Sequence, residues 1–335
     1  MVWVKFLFCL IVILFAGTKL ARYGDAIAEK TGLGRIWIGL VLLAFITSMP
    51  ELVTGVSAAA LVKLPDLALG DFFGSCLFNL SILAVLDIIS RPAPLLNKAS
   101  PRHLLTAGLG ILLISLAAIS ILAGESLSGI ALAWVGVPSI ILFLLYLGGV
   151  RWIFPYERSH QPQPVTTTPS KYGEIDRKTT YFRFILAALA IIGAGIWLAF
   201  IGDEIAATYS LSASFVGSLF LAITTSMPEL AVTIAAVRLG AIDMALADIL
   251  GANMLNMANI FTTDLFYTSG PVLSVVSSEH LITAVMAIAM TILVIIGLRF
   301  RQERKTFRFI SWYGVVLILL YLIGSYLLFS AGMPG

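Results

Sequence analysis

The chain has 335 residues, of which 59% are hydrophobic and only 12% charged, and its mean hydropathy is +1.01. A soluble domain carries roughly a quarter charged residues, so this composition excludes a soluble enzyme and gives no basis for nucleic-acid binding. Cys9 and Cys76 lie inside apolar runs and the three histidines are scattered, so neither a disulfide framework nor a Cys/His metal site is expected.

A membrane-spanning helix needs about 20 apolar residues. In chain order the candidate spans are 4–21, 33–61, 67–90, 103–123, 127–150, 181–202, 212–238, 242–268, 279–299 and 308–329. The first is read as a retained helix, because Lys19 and Arg22 follow it with no small-residue cleavage site. The second and seventh are longer than a straight crossing requires, and each carries a proline near its middle, Pro50 and Pro228. Proline removes an intrahelical hydrogen bond and clashes with the preceding turn, so both helices should kink or break there. In lipid, irregular backbone is tolerated only where protein buries it or where it lines a wet cavity.

With the N-terminus outside, the Lys and Arg residues of 19–35, 91–102, 151–183, 238 and 299–308 all fall on the cytoplasmic side, leaving Lys5 and Lys63 outside. The expected location is therefore a cell membrane (inner or plasma), crossed many times. The stretch 156–178, with Pro162, Pro164 and Pro169 among threonines and mixed charges, reads as a flexible cytoplasmic linker. It divides the chain into a first repeat at 1–150, a linker at 151–180 and a second repeat at 181–335.

The two halves share motifs. Ala44-Phe45-Ile46-Thr47-Ser48-Met49-Pro50-Glu51-Leu52 recurs as Ala222-Ile223-Thr224-Thr225-Ser226-Met227-Pro228-Glu229-Leu230, a shift of 178 positions. Leu69-Gly70-Asp71-Phe72-Phe73-Gly74-Ser75-Cys76-Leu77-Phe78-Asn79 recurs as Leu246-Ala247-Asp248-Ile249-Leu250-Gly251-Ala252-Asn253-Met254-Leu255-Asn256, a shift of 177. Five helices per half is an odd number, so the second half inserts with the opposite orientation. The fold expected is an all-α polytopic membrane protein of ten helices in two inverted five-helix repeats. Inverted repeats with interrupted helices at matching places are the pattern of a secondary transporter with its site near the midplane.

A glutamate at bilayer depth is costly and marks function by default. Glu51 and Glu229 offer hard anionic oxygen. Thr47, Thr225, Ser48 and Ser226 offer hydroxyls, and the kinked backbone beside them offers carbonyls. A calcium ion takes six to eight oxygens, and two carboxylates neutralise its charge; two carboxylates without an ion repel, and one holds a proton. The residues alone therefore leave cations and protons both open as cargo. Asp71, Ser75 and Asn79 lie four residues apart along one helix face, as do Asp248, Ala252 and Asn256, so these helices should pack on the kinked pair and complete the site. Gly70, Gly74 and Gly251 allow the close approach this needs. For Ser48 and Ser226, ligation and a bond to the preceding turn are both open, and for Asp71 and Asp248 so are ligation and interhelical bonding. Asp25 and Asp203, near helix ends, read as solvated or capping residues.

These motifs resemble the alpha repeats of the cation/calcium antiporter superfamily, closest to its sodium/calcium exchanger branch, and the resemblance covers nearly the whole membrane portion. It implies that Glu51 and Glu229 bind calcium with the carbonyls of Thr47 and Thr225. It further implies that Ala44, Thr47, Ser48, Ser75, Ala222, Thr225 and Ser226 line sodium positions around a central Asn79 and Asn256. Ala252 stands where the family usually has serine, Asn256 where the sodium branch often has aspartate, and Asp71 and Asp248 where it has asparagine. The implied function is exchange of Ca2+ for Na+ by alternating access, with H+ as the alternative coupling ion and no prosthetic group. Helices one and six, carrying Gly17, Gly193 and Gly195, would slide on the ligand-bearing core. The expected partners are these ions and the lipid bilayer, and the sequence is compatible with a monomer. An intramembrane aspartyl protease (Gly70-Asp71, Asp248) leaves the paired Pro-Glu unexplained, a membrane sensor lacks a soluble domain of any size, and paired carboxylates suit exchange better than a channel.

Overall fold

The computed structural model describes residues 2–127, 130–159, 172–173, 175–208, 219 and 221–331. Long apolar runs become long helices because lipid cannot hydrogen-bond the backbone. We label them α1 (Val2–Thr31), α2 (Arg35–Thr47), α3 (Met49–Val62), α4 (Pro65–Ile89), α5 (His103–Ala123), α6 (Val137–Ser159), α7 (Arg177–Thr208), α8 (Ala222–Thr225), α9 (Met227–Arg238), α10 (Ile242–Phe266), α11 (His280–Arg299) and α12 (Trp312–Ala331). Seven are long and apolar enough to cross a membrane, and eight spans result when α2 and α3 are taken as one. The expected ten are not reached among the described residues for two reasons: the start of the seventh expected span, at 212–218 and 220, lies outside them, and the tenth has an apolar stretch, Trp312–Leu328, shorter than the other spans. Most of the linker, 160–171 and 174, lies outside them too.

The fifth span begins later than expected. Gly124, at φ 43°, ends α5, and a short antiparallel pair, Ala131–Leu132 with Val135–Gly136, precedes α6. Pro138 then sits in the first turn of α6, where a missing N–H leaves no bond unmade.

The prolines act as expected. The chain breaks at Ser48 (φ −86°, ψ 10°) and α2 and α3 meet at a 40° bend; Ser226 takes the same backbone angles (φ −88°, ψ 10°) between α8 and α9. Over its most apolar 18 residues α10 is 94% buried and α4 72% buried, against 33% for α1. So α4 and α10 form the centre, the broken helices pack on them, and α1 lies with α7 at the periphery. Close approach at this centre is set by glycine: a Cβ on Gly39 would lie 2.3 Å from the Met244 carbonyl, and one on Gly251 2.5 Å from that of Leu40.

The halves are joined by bonds that repeat under the internal shift. His103 Nε2 lies 3.0 Å from Asp243 Oδ1, and His280 Nε2 lies 3.0 Å from Asp66 Oδ1. The Ser100 N–H donates to Asp243 at 2.6 Å and the Ser277 N–H to Asp66 at 2.7 Å. Within each half the same shift relates Asp87, which accepts the Leu95 N–H, to Asp264, which accepts the Val272 N–H, both at 2.8 Å. When residue i meets the counterpart of j, and j meets the counterpart of i, the halves are related by a two-fold axis. That is the inverted repeat.

Asp25 corrects the reading of it as solvated. It is buried, pairs with Arg35 Nε at 2.6 Å and accepts the Tyr172 hydroxyl at 2.9 Å. Burial, and next the Asp25 carboxylate, push the Tyr172 phenol up, so it stays a donor. The side chain of Asp203 lies outside the described residues.

Candidate cation site

The two proline breaks face each other across the centre. Ser48 Oγ donates to Glu229 Oε1 at 3.0 Å, and Ser226 Oγ donates to Glu51 Oε1 at 3.0 Å. Each serine occupies the break itself, so the residue that interrupts one helix orients the carboxylate of the other. Ser75 Oγ of α4 lies 3.5 Å from Glu51 Oε1 and 3.5 Å from Thr225 Oγ1.

The threonines link this layer to the aspartates. Thr225 Oγ1 reaches Asp71 Oδ1 at 2.9 Å, and Thr47 Oγ1 reaches Asp248 Oδ1 at 3.3 Å. The same hydroxyls lie 3.1 Å from the carbonyls of Leu221 and Leu43, one turn back. Asn79 Nδ2 donates to Asn253 Oδ1 at 3.1 Å, and Asn253 Nδ2 donates to the Cys76 carbonyl at 3.2 Å.

All of these groups are buried: Thr47, Ser48, Glu51, Asp71, Ser75, Asn79, Thr225, Ser226, Glu229, Asp248 and Asn256 are each at most 1% exposed. Ala44 and Ala222 are buried beside them and bring no side-chain donor. Glu51 Oε2, Glu229 Oε2, Asp248 Oδ2, Asn79 Oδ1 and both side-chain atoms of Asn256 have no hydrogen-bond partner. A buried polar atom left unpaired costs about 1–3 kcal/mol, more if charged, and such atoms are an argument for an ion or water beside them. Among the described residues no three His, Cys, Asp or Glu side chains converge as a metal-binding group. The donor set is instead hard oxygen from carboxylates, hydroxyls and amides, which suits calcium, sodium or a proton and not a soft metal.

The structure thus brings Glu51, Ser226, Ser75, Thr225 and Asp71 into one bonded chain, Glu229 with Ser48 into another, and Thr47 with Asp248 into a third. Asn253 was not singled out from sequence, yet it bridges α4 and α10. The signal for it was present: it is the counterpart of Cys76 at the 177 shift and differs from it in polarity. The His–Asp pairs were missed because the histidines were read singly, not against the shift.

Three comparisons bear on this arrangement. The family described as sodium/calcium exchanger protein matches residues 1–152 and 179–330. An uncharacterized membrane protein of Methanocaldococcus jannaschii is 24% identical over 328 residues, covering 95% of each chain. The inner membrane protein YrbG of Escherichia coli is 27% identical over 270 residues, 78% of this chain and 79% of its own. Among solved structures, that of the sodium-calcium exchanger NCX_Mj superposes with a TM-score of 0.73 at 19% identity, covering all of both chains. At that identity the likeness speaks for the fold.

Proposed function

The chain belongs to the sodium/calcium exchanger family, and from that premise we propose that it exchanges Ca2+ for Na+ across a cell membrane by alternating access. The family and the structural neighbours are transporters, not enzymes.

One observation carries the reading. The reciprocal Ser48–Glu229 and Ser226–Glu51 bonds fix one oxygen of each glutamate and leave the other, Oε2, buried and unpartnered. Two such oxygens suit a divalent cation, with the carbonyls of the broken helices and the Thr47 and Thr225 hydroxyls filling further positions. Ser48, Ser75, Ser226, Ala44, Ala222, Asn79 and Asn256 line the monovalent positions in this reading, with Asp71 and Asp248 next to them. The proposed orientation has the N-terminus outside and the 151–180 linker in the cytoplasm between repeats at 1–150 and 181–335.

Proton coupling is the second reading, favoured by Asp71 and Asp248 standing beside Thr225 and Thr47 while Ala252 and Asn256 bring neither hydroxyl nor acid. The test is uptake of radiolabelled calcium into proteoliposomes under a sodium gradient and, separately, a pH gradient, with Glu51→Gln and Glu229→Gln as controls. Glutamate-dependent uptake driven by sodium supports the first reading, and uptake driven by pH alone replaces it with the second. Absence of glutamate-dependent uptake under both would overturn calcium exchange.

A further inference from the structure

Away from the ion site, α1 and α7 enclose a membrane-facing groove of about 260 Å³. Its floor is made of small residues, Ala16, Ala187 and Ala190, and its walls are Phe15 and Leu186. Both wall side chains are more than half exposed, so the groove opens to the bilayer and not to the protein interior. One end is different. There Lys19 and Arg183 stand beside Tyr23. Arg183 donates to the Tyr23 hydroxyl at 3.3 Å with its guanidinium 6.0 Å from the ring, and Lys19 Nζ lies 5.3 Å from the Phe15 ring.

The two helices place these groups in consistent order. From Tyr23 back to Phe15 the groove descends α1 by roughly 12 Å, and from Arg183 on to Ala190 it follows α7 by roughly 10 Å, at about 1.5 Å per residue. Both paths lead from charge to hydrocarbon, so a molecule lying in the groove meets cations at one end and apolar surface beyond. Neither Lys19 nor Arg183 has a carboxylate partner among the described residues. By contrast Lys5 is paired with Glu204 and Arg35 with Asp25. Long basic side chains at this depth keep their stems along apolar surface and their heads at the interface. Two of them at one groove end, with like charges and no acid, leave a positive site that suits a lipid headgroup. On the proposed orientation that is the cytoplasmic leaflet, whose anionic lipids attract basic residues by about 1 kcal/mol each.

We propose that this groove binds an anionic phospholipid, its phosphate held by Lys19 and Arg183 with the Tyr23 hydroxyl, and one acyl chain lying over Ala16, Ala187 and Ala190. The site sits between the two helices that pack on the broken pair, outside the cation site, and it does not depend on which ions are exchanged.

The test is native mass spectrometry of the full chain in neutral detergent with added phosphatidylglycerol or phosphatidylcholine, with no ion gradient, so the result stands apart from the transport assay. Phosphatidylglycerol is expected to bind in preference, and Lys19→Gln with Arg183→Gln to weaken it about 25-fold, close to five-fold per cation. Lys19→Arg with Arg183→Lys should keep the preference, and Ala190→Leu, which fills the floor and leaves the charges, should weaken binding of both lipids. Unfolding midpoints of the variants check that each is folded. Equal binding of the two lipids, or undiminished preference in the double Gln variant, would overturn the proposal. Displacement of bound lipid by inorganic phosphate at equimolar concentration would do so too, since it would show a headgroup site to which the acyl groove adds nothing.

Discussion

Ser48 Oγ holds Glu229 Oε1 at 3.0 Å and is its sole side-chain donor among the described residues, whereas Glu51 Oε1 has Ser226 at 3.0 Å and Ser75 at 3.5 Å. The two-fold relation is therefore broken at the carboxylates, and by α4 and α10 themselves: Ser75 on α4 has Ala252 as its counterpart on α10. A hydrogen bond to a charged group contributes about 1.5–3 kcal/mol. Ser48→Ala is expected to weaken apparent calcium affinity about 10- to 100-fold. Ser226→Ala, with Ser75 still in place, should cost less, about 5-fold. Initial uptake rates against calcium concentration measure both, and equal losses would show that Ser75 does not support Glu51.

Lowering the pH should raise the calcium concentration needed for half-maximal uptake. Glu51, Glu229, Asp71 and Asp248 are four carboxyls buried in the same core, and a buried carboxylate is costly to ionise without a cation beside it. Protons therefore compete with cations for the same oxygens, and the competition grows as pH falls. Asp71→Asn and Asp248→Asn remove two competitors and should flatten the profile. A profile unchanged in both variants would place the titrating groups at the glutamates alone.

How much of this was legible in the sequence depends on whether a residue's partner was signalled by the internal shift. Thr47, Ser48 and Glu51 with their counterparts were found together because a proline and a carboxylate in an apolar run are rare, and rarer twice. The break at Ser48 follows from Pro50 by local sterics, which sequence shows directly. The partner of each serine does not, since Ser48 meets Glu229 across 181 residues and nothing local marks the pair. Asp25 was misread for the same reason, as its partners Arg35 and Tyr172 lie 10 and 147 residues away. The late start of α6 was missed because apolar residues at 130–137 satisfy hydropathy while Gly124 and the small β pair occupy the backbone.

Asn256 is the most informative position for the coupling ion. Its side chain is wholly buried with no hydrogen-bond partner, and aspartate matches it in volume, so the exchange changes charge and little else. Asn256→Asp combined with Ala252→Ser returns the acid and the hydroxyl that the sodium branch carries. If the native chain is sodium-coupled, the double variant should show a steeper sodium dependence of calcium uptake. If it is proton-coupled, the variant should gain sodium-driven uptake that the native chain lacks. No change in sodium dependence in the double variant would exclude α10 from the monovalent positions.

Asp87 predicts a stability effect without a change in ion selectivity. Its carboxylate accepts the N–H groups of Leu95 (2.8 Å) and Ser311 (2.7 Å), with the hydroxyls of Ser311 (3.1 Å) and Tyr313 (2.5 Å). It thereby ties the end of α4 to the start of α12. Asp87→Ala leaves several buried donors unpaired, and at about 1–3 kcal/mol for each orphaned group the midpoint of thermal unfolding in detergent should drop by several degrees. Asp87→Asn keeps the acceptor oxygen and should lose less. Calcium dependence of the surviving fraction should match the native chain, and a shifted dependence would mean that α12 reaches the site.

The movement that alternating access requires can be tested at Gly195. A Cβ there would lie 2.5 Å from Pro50 Cγ and 3.3 Å from Pro228 Cγ, so α7 crosses both helix breaks at the closest approach a backbone allows. On α1, a Cβ at Gly17 would meet Ala231 Cβ at 3.0 Å. Gly193, expected from sequence to share this surface, has nothing within 4 Å and faces away. If α1 and α7 slide over the breaks, Gly195→Ala obstructs the path and removes no ligand, with α7 or Pro50 shifting to take the methyl. Transport should fall at least 10-fold with equilibrium calcium binding within about two-fold of native, since the lost term is a barrier and not a ligand. Gly193→Ala is the internal control and should transport normally. Equal transport by the two variants would mean that α7 does not move against Pro50, and a matching loss of binding at Gly195→Ala would mean that this contact shapes the site instead of gating it.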